Sequence, residues 1–259
     1  MAHRVMQKGN RGRKGLEAAG HAPAIRAVTF DLDDTFWDGA EVIGQAEERL
    51  YAFLEANCPG FSARWPRERL RAEMARLAQG PKRRADLGWL RREALRIACR
   101  QVVPGQEEEM AEAGFAVFHE ARHDVHLFPD VVATVEQVAS RYVVGTISNG
   151  NADIRRIAPL GPHFKATISA HHIGAVKPER AIFQAAALAL GEQPETIVHV
   201  GDDALRDCVG AKLAGFRAVW LNRPQQKWPL SKTMQPDAII TQLSELEGVL
   251  ERWQGQTAS

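Results

Sequence analysis

The sequence has no run of about 18 apolar residues, so no segment reads as membrane-spanning. Cysteine is scarce: Cys58, Cys99 and Cys208 are odd in number and far apart. That spacing excludes a disulfide framework and a zinc-ligand set, and it points to a reducing compartment. There is no excess charge either. A formal net charge of +1 gives no overall argument for a nucleic-acid or membrane partner. Internal repeats and low-complexity tracts are absent. Residues 1–23 carry Arg4, Lys8, Arg11, Arg13 and Lys14 but lack the apolar stretch that a signal peptide needs. They read as a disordered tail, with a basic arm for an acidic partner as the alternative. What remains is the expectation of a soluble, cytoplasmic globular protein of one large or two small domains.

The chain is organised around Ile25–Trp37, IRAVTFDLDDTFW. Val28 and Phe30 belong to a short β-branched and aromatic run that reads as a buried strand. It ends in Asp31, Asp33 and Asp34, followed by Thr35. Open α/β sheets bind ligands at the carboxyl ends of their strands, so acids delivered there mark a candidate site. Asp31 and Asp33 are two apart and would share a face of a regular strand. Like charges that close need a cation or a shared proton. The competing interpretation is a solvated turn.

After Trp37 the periodicity becomes helical for some eighty residues. Leu50, Phe53 and Leu54 share a face of a helix from about Val42 to Asn57. Leu70, Met74 and Leu77 mark a second helix, Leu87 to Ala98 a third, and Ala113, Val117 and Ala121 a fourth. Four helices between one strand and the next form an inserted domain over the strand ends. Residues 61–102 are basic, with twelve Lys or Arg against four Asp or Glu. This is either a positive lid that attracts an anion or a solvated face with local pairs.

From Leu127 strands and helices alternate: strands at 142–147, 166–169, 197–200, 218–221 and 237–240, helices at 181–190, 204–214 and 243–253. Such alternation implies parallel βαβ units with helices on both faces. Three polar groupings follow these strands. Ser148-Asn149 follows the second strand, with a helix expected near Asp153, so hydroxyl and backbone N–H groups would form an anion site. Lys177 precedes Pro178 as a fixed cation. Gly201-Asp202-Asp203 follows a later strand, with Asp207 one turn on.

These four segments resemble the four motifs of the haloacid dehalogenase superfamily of phosphatases. Asp31-Leu32-Asp33-Asp34-Thr35 is similar to the first, Ser148-Asn149 to the second, Lys177-Pro178 to the third, and Gly201-Asp202-Asp203 to Asp207 to the fourth. The resemblance implies an α/β fold. Its Rossmann-like three-layer parallel sheet core spans 24–40 plus 125–253, and a helical C1 cap is inserted at 41–124. It implies Asp31 as nucleophile, Asp33 as general acid and base, and Ser148, Asn149 and Lys177 as phosphate ligands. It also implies Mg²⁺ held by Asp31, Asp202 and the main-chain carbonyl of Asp33, with Thr35, Asp203 and Asp207 in support. Asp203 in place of Asp202 is the alternative ligand. The second acid favours a phosphatase over a dehalogenase, because an alkoxide leaving group needs a proton and a halide does not.

The strings at 148–153 and 199–203 resemble bacterial flavin mononucleotide hydrolases, which also act on a ribitylamino-uracil phosphate. The implied partner is a small phosphorylated metabolite, with no nucleic acid or membrane involved. A sugar-phosphate phosphatase, a phosphomutase and a non-catalytic binding protein stay open as alternatives. Trp37 is the expected substrate selector. Trp65 and Trp89 read as core or as an aromatic wall. His199 reads as a packed core histidine, and His171 with His172 lacks the partners of a zinc site.

Overall fold

The computed structural model describes residues 23–80 and 84–255. The 1–22 segment, Lys82 and Arg83 lie outside the described residues. In chain order the elements are β1 (Ala27–Phe30), α1 (Gly39–Asn57), α2 (Phe61–Arg64), α3 (Arg67–Leu77), α4 (Leu87–Val102), α5 (Glu107–Ala121), α6 (Val131–Ala139) and β2 (Val143–Ser148). There follow β3 (Ala166–Ser169), α7 (Ala170–Ile173), α8 (Arg180–Leu190), β4 (Ile197–Gly201), α9 (Gly210–Ala214), β5 (Arg217–Leu221), β6 (Ala238–Ile240) and α10 (Leu246–Gly255).

The strands form one parallel sheet in the order β3-β2-β1-β4-β5-β6. A parallel sheet needs cover on both faces, and the period of two supplies it. Val28, Phe30, Val198 and Val200 face one way and pack with Val131 and Val135 of α6 and Leu246 and Val249 of α10. Ala27, Ile147 and Ile197 face the other way and pack with Ile182 and Phe183 of α8 and Ala211 of α9. The result is the expected three-layer α/β architecture. Phe30 is level with Thr146 of β2 and Val200 of β4, so the chain leaves all three strands at one edge of the sheet.

Helices α1 to α5 lie between β1 and β2 and bury a core of their own. It includes Leu50, Leu54, Phe61, Leu95 and Phe118. Asp38 caps α1 by accepting from the Glu41 N–H at 2.8 Å, and Asp86 caps α4 by accepting from the Trp89 N–H at 2.8 Å. Five helices stand where four were expected, because the short α2 fills the turn after α1. The buried face of α5 is Ala111, Gly114, Phe118 and Ala121, one position round from the Ala113–Val117 stripe. Phe118, larger than Val117, takes the interior. Gly114 lets Leu50 and Leu54 approach so closely that a Cβ there would lie 3.1 and 3.3 Å from their side chains.

Two other expectations change. Near Asp153 there is a single 3₁₀ turn, Ile154–Arg156, instead of a helix, because Pro159 follows within one turn. The expected anion site at a helix N-terminus is therefore not formed there. The helix after β4 opens as a π turn, Ala204–Val209, before α9. The Asp203 carboxylate accepts from the N–H groups of Leu205 and Arg206, and the Cys208 N–H reaches back to the Asp203 carbonyl at 3.3 Å. Such widened turns concentrate at functional sites.

Two segments join the helical unit to the sheet, and they are bonded to each other. Trp37 bridges Leu127 in antiparallel fashion, and the Phe128 N–H donates to the Phe36 carbonyl at 2.9 Å. Among the described residues, no helix is long and apolar enough to cross a membrane.

Candidate active site

Asp31 leaves the end of β1 with its N–H on the Val200 carbonyl, which continues the sheet ladder by one residue. Its Oδ1 accepts from Lys177 Nζ at 2.6 Å, and the same ammonium donates to Asp207 Oδ1 at 2.6 Å. Lys177 is only 3% exposed. Its main chain is clamped by Asn149, whose Oδ1 accepts from the Lys177 N–H at 2.7 Å and whose Nδ2 donates to its carbonyl at 3.2 Å. The segment after β2 therefore fixes the lysine that serves the segment after β1.

Asp207 is fully engaged. Besides Lys177, it accepts from the Asp203 N–H at 2.9 Å and contacts His199 Nε2 at 3.2 Å. His199 in turn meets the Thr29 hydroxyl through Nδ1 at 2.9 Å. Burial pushes this histidine below its ordinary value. In the neutral ring, Nε2–H donating to Asp207 while Nδ1 accepts from Thr29 satisfies both contacts. His199 is thus the packed, hydrogen-bonded residue its mid-strand position implies, and it also braces Asp207.

The acids crowd together. Asp31, Asp202 and Asp207 each offer an oxygen, all within 4.8 Å of one another. Burial, with Asp207 and Asp34 nearby, pushes Asp202 up to about 7. Burial likewise raises Asp31, against the pull of Lys177. Lys177 itself is buried, yet Asp207 and Asp31 hold it above its ordinary value. One ammonium among three carboxylates, those of buried Asp31 and Asp207 and half-buried Asp202, leaves negative charge in excess, which is the donor set and charge that a divalent cation fits. Asp207 is committed to Lys177, and the Asp203 carboxylate caps the π turn. The carboxylates left for an ion are those of Asp31 and Asp202.

Asp33 lies in the same cleft, of about 460 Å³, with Asp31, Ser148, Asn149, Lys177 and Asp202. Its carboxylate is held by two donors. Trp37 Nε1 donates to Oδ1 at 2.9 Å, and Arg122 Nη2 lies 3.1 Å from both oxygens. Ser148 Oγ accepts from the Gly150 N–H at 2.9 Å. Gly150 leaves room for the acid: a Cβ there would stand 2.8 Å from Asp33 Oδ2 and would push that carboxylate aside. The turn that follows Asp33 and leads to α1 is pinned by Asp34, which takes a positive φ of 62° and accepts from the Gly39 N–H. Thr35 is buried in that turn, its carbonyl accepting from Arg223.

Residues 25–215 match the haloacid dehalogenase-like hydrolase family. The chain belongs to the haloacid dehalogenase-like hydrolases. It is 28% identical to a 5-amino-6-(5-phospho-D-ribitylamino)uracil phosphatase of Escherichia coli, over 87% of this chain and 96% of the relative. A phosphoserine phosphatase of Thermus thermophilus is 31% identical, over 91% of this chain and 87% of the relative. Among solved structures, a 2-haloacid dehalogenase from Pseudomonas syringae superposes with a TM-score of 0.83 at 37% identity, over 88% of this chain and 99% of that one.

In this hydrolase Asp31, Asp33, Ser148, Asn149, Lys177, Asp202, Asp203 and Asp207 all border one cleft. Trp37 does not. It is fully buried, with its indole N–H spent on Asp33, so it cannot stack on a substrate as expected of a selector. Trp65 is core, and Trp89 is half-buried on α4. His171 pairs with Asp86, and His172 with the Ser169 hydroxyl.

The basic lid is largely neutralised as well. Arg71 and Arg91 pair with Glu47, Arg76 with Glu73, Arg96 with Glu93 and Arg100 with Glu107. From the helical side, Arg84 and Leu87 reach the cleft. Arg92, Phe115 and His119 line an adjoining cavity of about 320 Å³ that shares Ser148 with it.

The residue that sequence reasoning missed is Arg122. It lies 89 positions from Asp33 and is the one Lys or Arg between Arg100 and Arg141, but no local pattern shows that it turns inward onto a strand-end carboxyl.

Proposed function

We propose that this hydrolase cleaves small phosphomonoesters through an aspartyl-phosphate on Asp31, with Mg²⁺ as cofactor. The observation that carries this reading is Asp33. A carboxyl group faces the same cleft as the nucleophile, where an oxygen leaving group can receive its proton. Halide release needs no such acid. Phosphatases among the relatives support the same reading.

Asp31 attacks phosphorus, the bond from phosphorus to the leaving oxygen breaks, and the proton of Asp33 passes to that oxygen. Asp33 then takes a proton from water as the resulting hydroxide attacks phosphorus. The bond from phosphorus to Asp31 breaks, and phosphate leaves with the carboxylate restored. Lys177, Ser148 and the Asn149 backbone N–H hold the phosphoryl oxygens, where charge sits in the transition state. Asp31, Asp202 and the Asp33 carbonyl would hold Mg²⁺, which supplies charge neutralisation between an anionic nucleophile and an anionic substrate.

The helical unit at 41–124 acts as the cap. The leaving group occupies the space under it, bounded by Phe115 and Arg92, and a flavin or ribityl phosphate is the substrate class that an aromatic and basic wall suits. The deciding experiment is hydrolysis of p-nitrophenyl phosphate with Mg²⁺ or EDTA by wild type and Asp31→Asn, followed by a panel of phosphorylated metabolites. Turnover that needs Mg²⁺ and vanishes in Asp31→Asn is expected. Steady-state turnover by a deamidation-free Asp31→Asn protein refutes the nucleophile. Release of chloride from 2-chloropropionate without phosphatase activity refutes the reaction class.

A further inference from the structure

We infer that Arg122 is a positioning residue for Asp33, reaching it from the helical unit, so that the acid–base group is aimed only while that unit sits on the sheet. This rests on the phosphatase reading above. Arg122 directly follows Ala121, the last residue of α5, and its N–H donates to the Phe118 carbonyl at 3.0 Å. It is 1% exposed, against 8% for Arg91, the other buried arginine among the described residues. Among the described residues its guanidinium bonds one partner, with Nη2 on both oxygens of Asp33, while Nε and Nη1 are buried without a hydrogen-bond partner.

A guanidinium kept in the interior with two of its three nitrogens unpartnered is a poor device for stability. Apolar side chains of similar volume in place of buried ion pairs are often neutral or stabilising. What the contact supplies is direction. Trp37 Nε1 and Arg122 Nη2 both hold Oδ1, and Arg122 also steadies Oδ2. Oδ2 is the oxygen turned towards Gly150, 2.8 Å from where a Cβ would stand there. The same point is 3.2 Å from Ser148 Oγ and 3.5 Å from Arg122 Nη2. Asp33 Oδ2 therefore faces the phosphate-binding turn and is the oxygen that exchanges the proton.

The two donors come from different places. Trp37 stands four residues from Asp33 on the strand side of the joint, and Arg122 stands at the far end of the helical insertion. Moving the helical unit away from the sheet withdraws Arg122 and leaves Asp33 with Trp37 alone. Domain closures elsewhere complete catalytic groups in this way.

The test separates aim from structure by leaving group. Wild type, Arg122→Met, Arg122→Lys, Trp37→Phe, Asp33→Asn and the Arg122→Met/Asp33→Asn double variant are assayed on p-nitrophenyl phosphate and on alkyl phosphates. In the expected result, Arg122→Met lowers kcat on alkyl phosphates by on the order of tenfold or more, with little change on p-nitrophenyl phosphate. The double variant is then no worse than Asp33→Asn alone, since the arginine acts through the carboxyl. Arg122→Lys recovers part of the loss.

Equal loss on both leaving groups, or a loss that adds to that of Asp33→Asn, overturns the inference. If Arg122→Met fails to fold, as judged by circular dichroism, Arg122→Lys and Trp37→Phe carry the same comparison. A wild-type protein inactive on every phosphomonoester refutes the phosphatase reading itself. Active wild type with a leaving-group effect in Asp33→Asn, but none in the Arg122 and Trp37 variants, refutes this inference alone.

Discussion

Replacing Lys177 by Met removes the one ammonium that stands 2.6 Å from both Asp31 and Asp207. The chain keeps its shape there but is left with three carboxylates within 4.8 Å of one another. At an effective dielectric near 20, two charges at that separation repel by about 3 kcal/mol. Removing one partner of a buried ion pair costs about 3–5 kcal/mol, which for a chain of this size lowers the unfolding midpoint by ~10 °C.

The pH dependence gives the prediction its sign. Lys177 has a folded value raised above the ordinary 10.5. Its contribution is therefore fully present below 10.5 and lost only as pH rises through the folded value, so across neutral pH the wild-type contribution is flat. Wild-type Asp31 and Asp202 already sit above the ordinary carboxylate range, and in Lys177→Met they lose the ammonium that lowers them, so the native state retains more of the protons that the unfolded chain has shed. The deficit should then grow from pH 5 to pH 8. Millimolar Mg²⁺ should recover part of it by restoring positive charge.

The assay is urea unfolding followed by far-ultraviolet circular dichroism at pH 5 and pH 8, in EDTA and in Mg²⁺. A loss under about 1 kcal/mol, or one equal at both pH values, refutes the account of a buried charge balance centred on Lys177.

Two further outcomes follow from the site. Gly201→Ala places a Cβ 2.3 Å from Asp207 Cγ and Oδ2, so it should displace the acid that holds Lys177. Phosphatase activity should fall by on the order of 100-fold, with the helical content seen by circular dichroism retained, and full activity in that variant contradicts the role given to Asp207. Phe115→Ala and Arg92→Ala alter the wall of the cavity beside the phosphate site and touch none of the residues around Asp31. They should change the rate ratio between flavin mononucleotide and acetyl phosphate by more than about twofold, measured as kcat/KM, and an unchanged ratio removes the cavity as the leaving-group site.

Much of the core could be read from the chain because its signals are local. A buried strand such as Val28–Phe30 needs only a short apolar run, and the acids after it are adjacent in sequence. Lys177 and Asp202 were legible for the same reason, each flanked by a residue that ends or turns an element. What escaped depends on facing and on distant pairs. Trp37 looked like a wall for a substrate, and only the packing of Phe36, Leu127 and Phe128 around the joint shows it buried. Residues 61–102 read equally as a positive lid or as a locally paired face, and only the placing of Glu47, Glu73, Glu93 and Glu107 shows which of their arginines are paired. Arg122 stands alone between Arg100 and Arg141, and the partner that gives it direction is a strand-end carboxyl far away in the chain. The π turn after Asp203 was hidden because helical periodicity does not register one extra residue in a turn.

The joint between the helical unit and the sheet has a consequence for how such chains diversify. Because Trp37 pairs with Leu127 and Phe36 with Phe128, the chain departs for α1 and returns from α5 at almost the same point. The strand pairings of β1 with β2 and β4 use none of the intervening residues. The insertion can therefore be exchanged wholesale, lengthened or shortened, while the two ends keep their spacing and the sheet keeps its register. A grafted replacement would inherit the nucleophile, the lysine and the acidic cluster intact. It would have to bring one feature of its own, a side chain at the end of its last helix that meets Asp33.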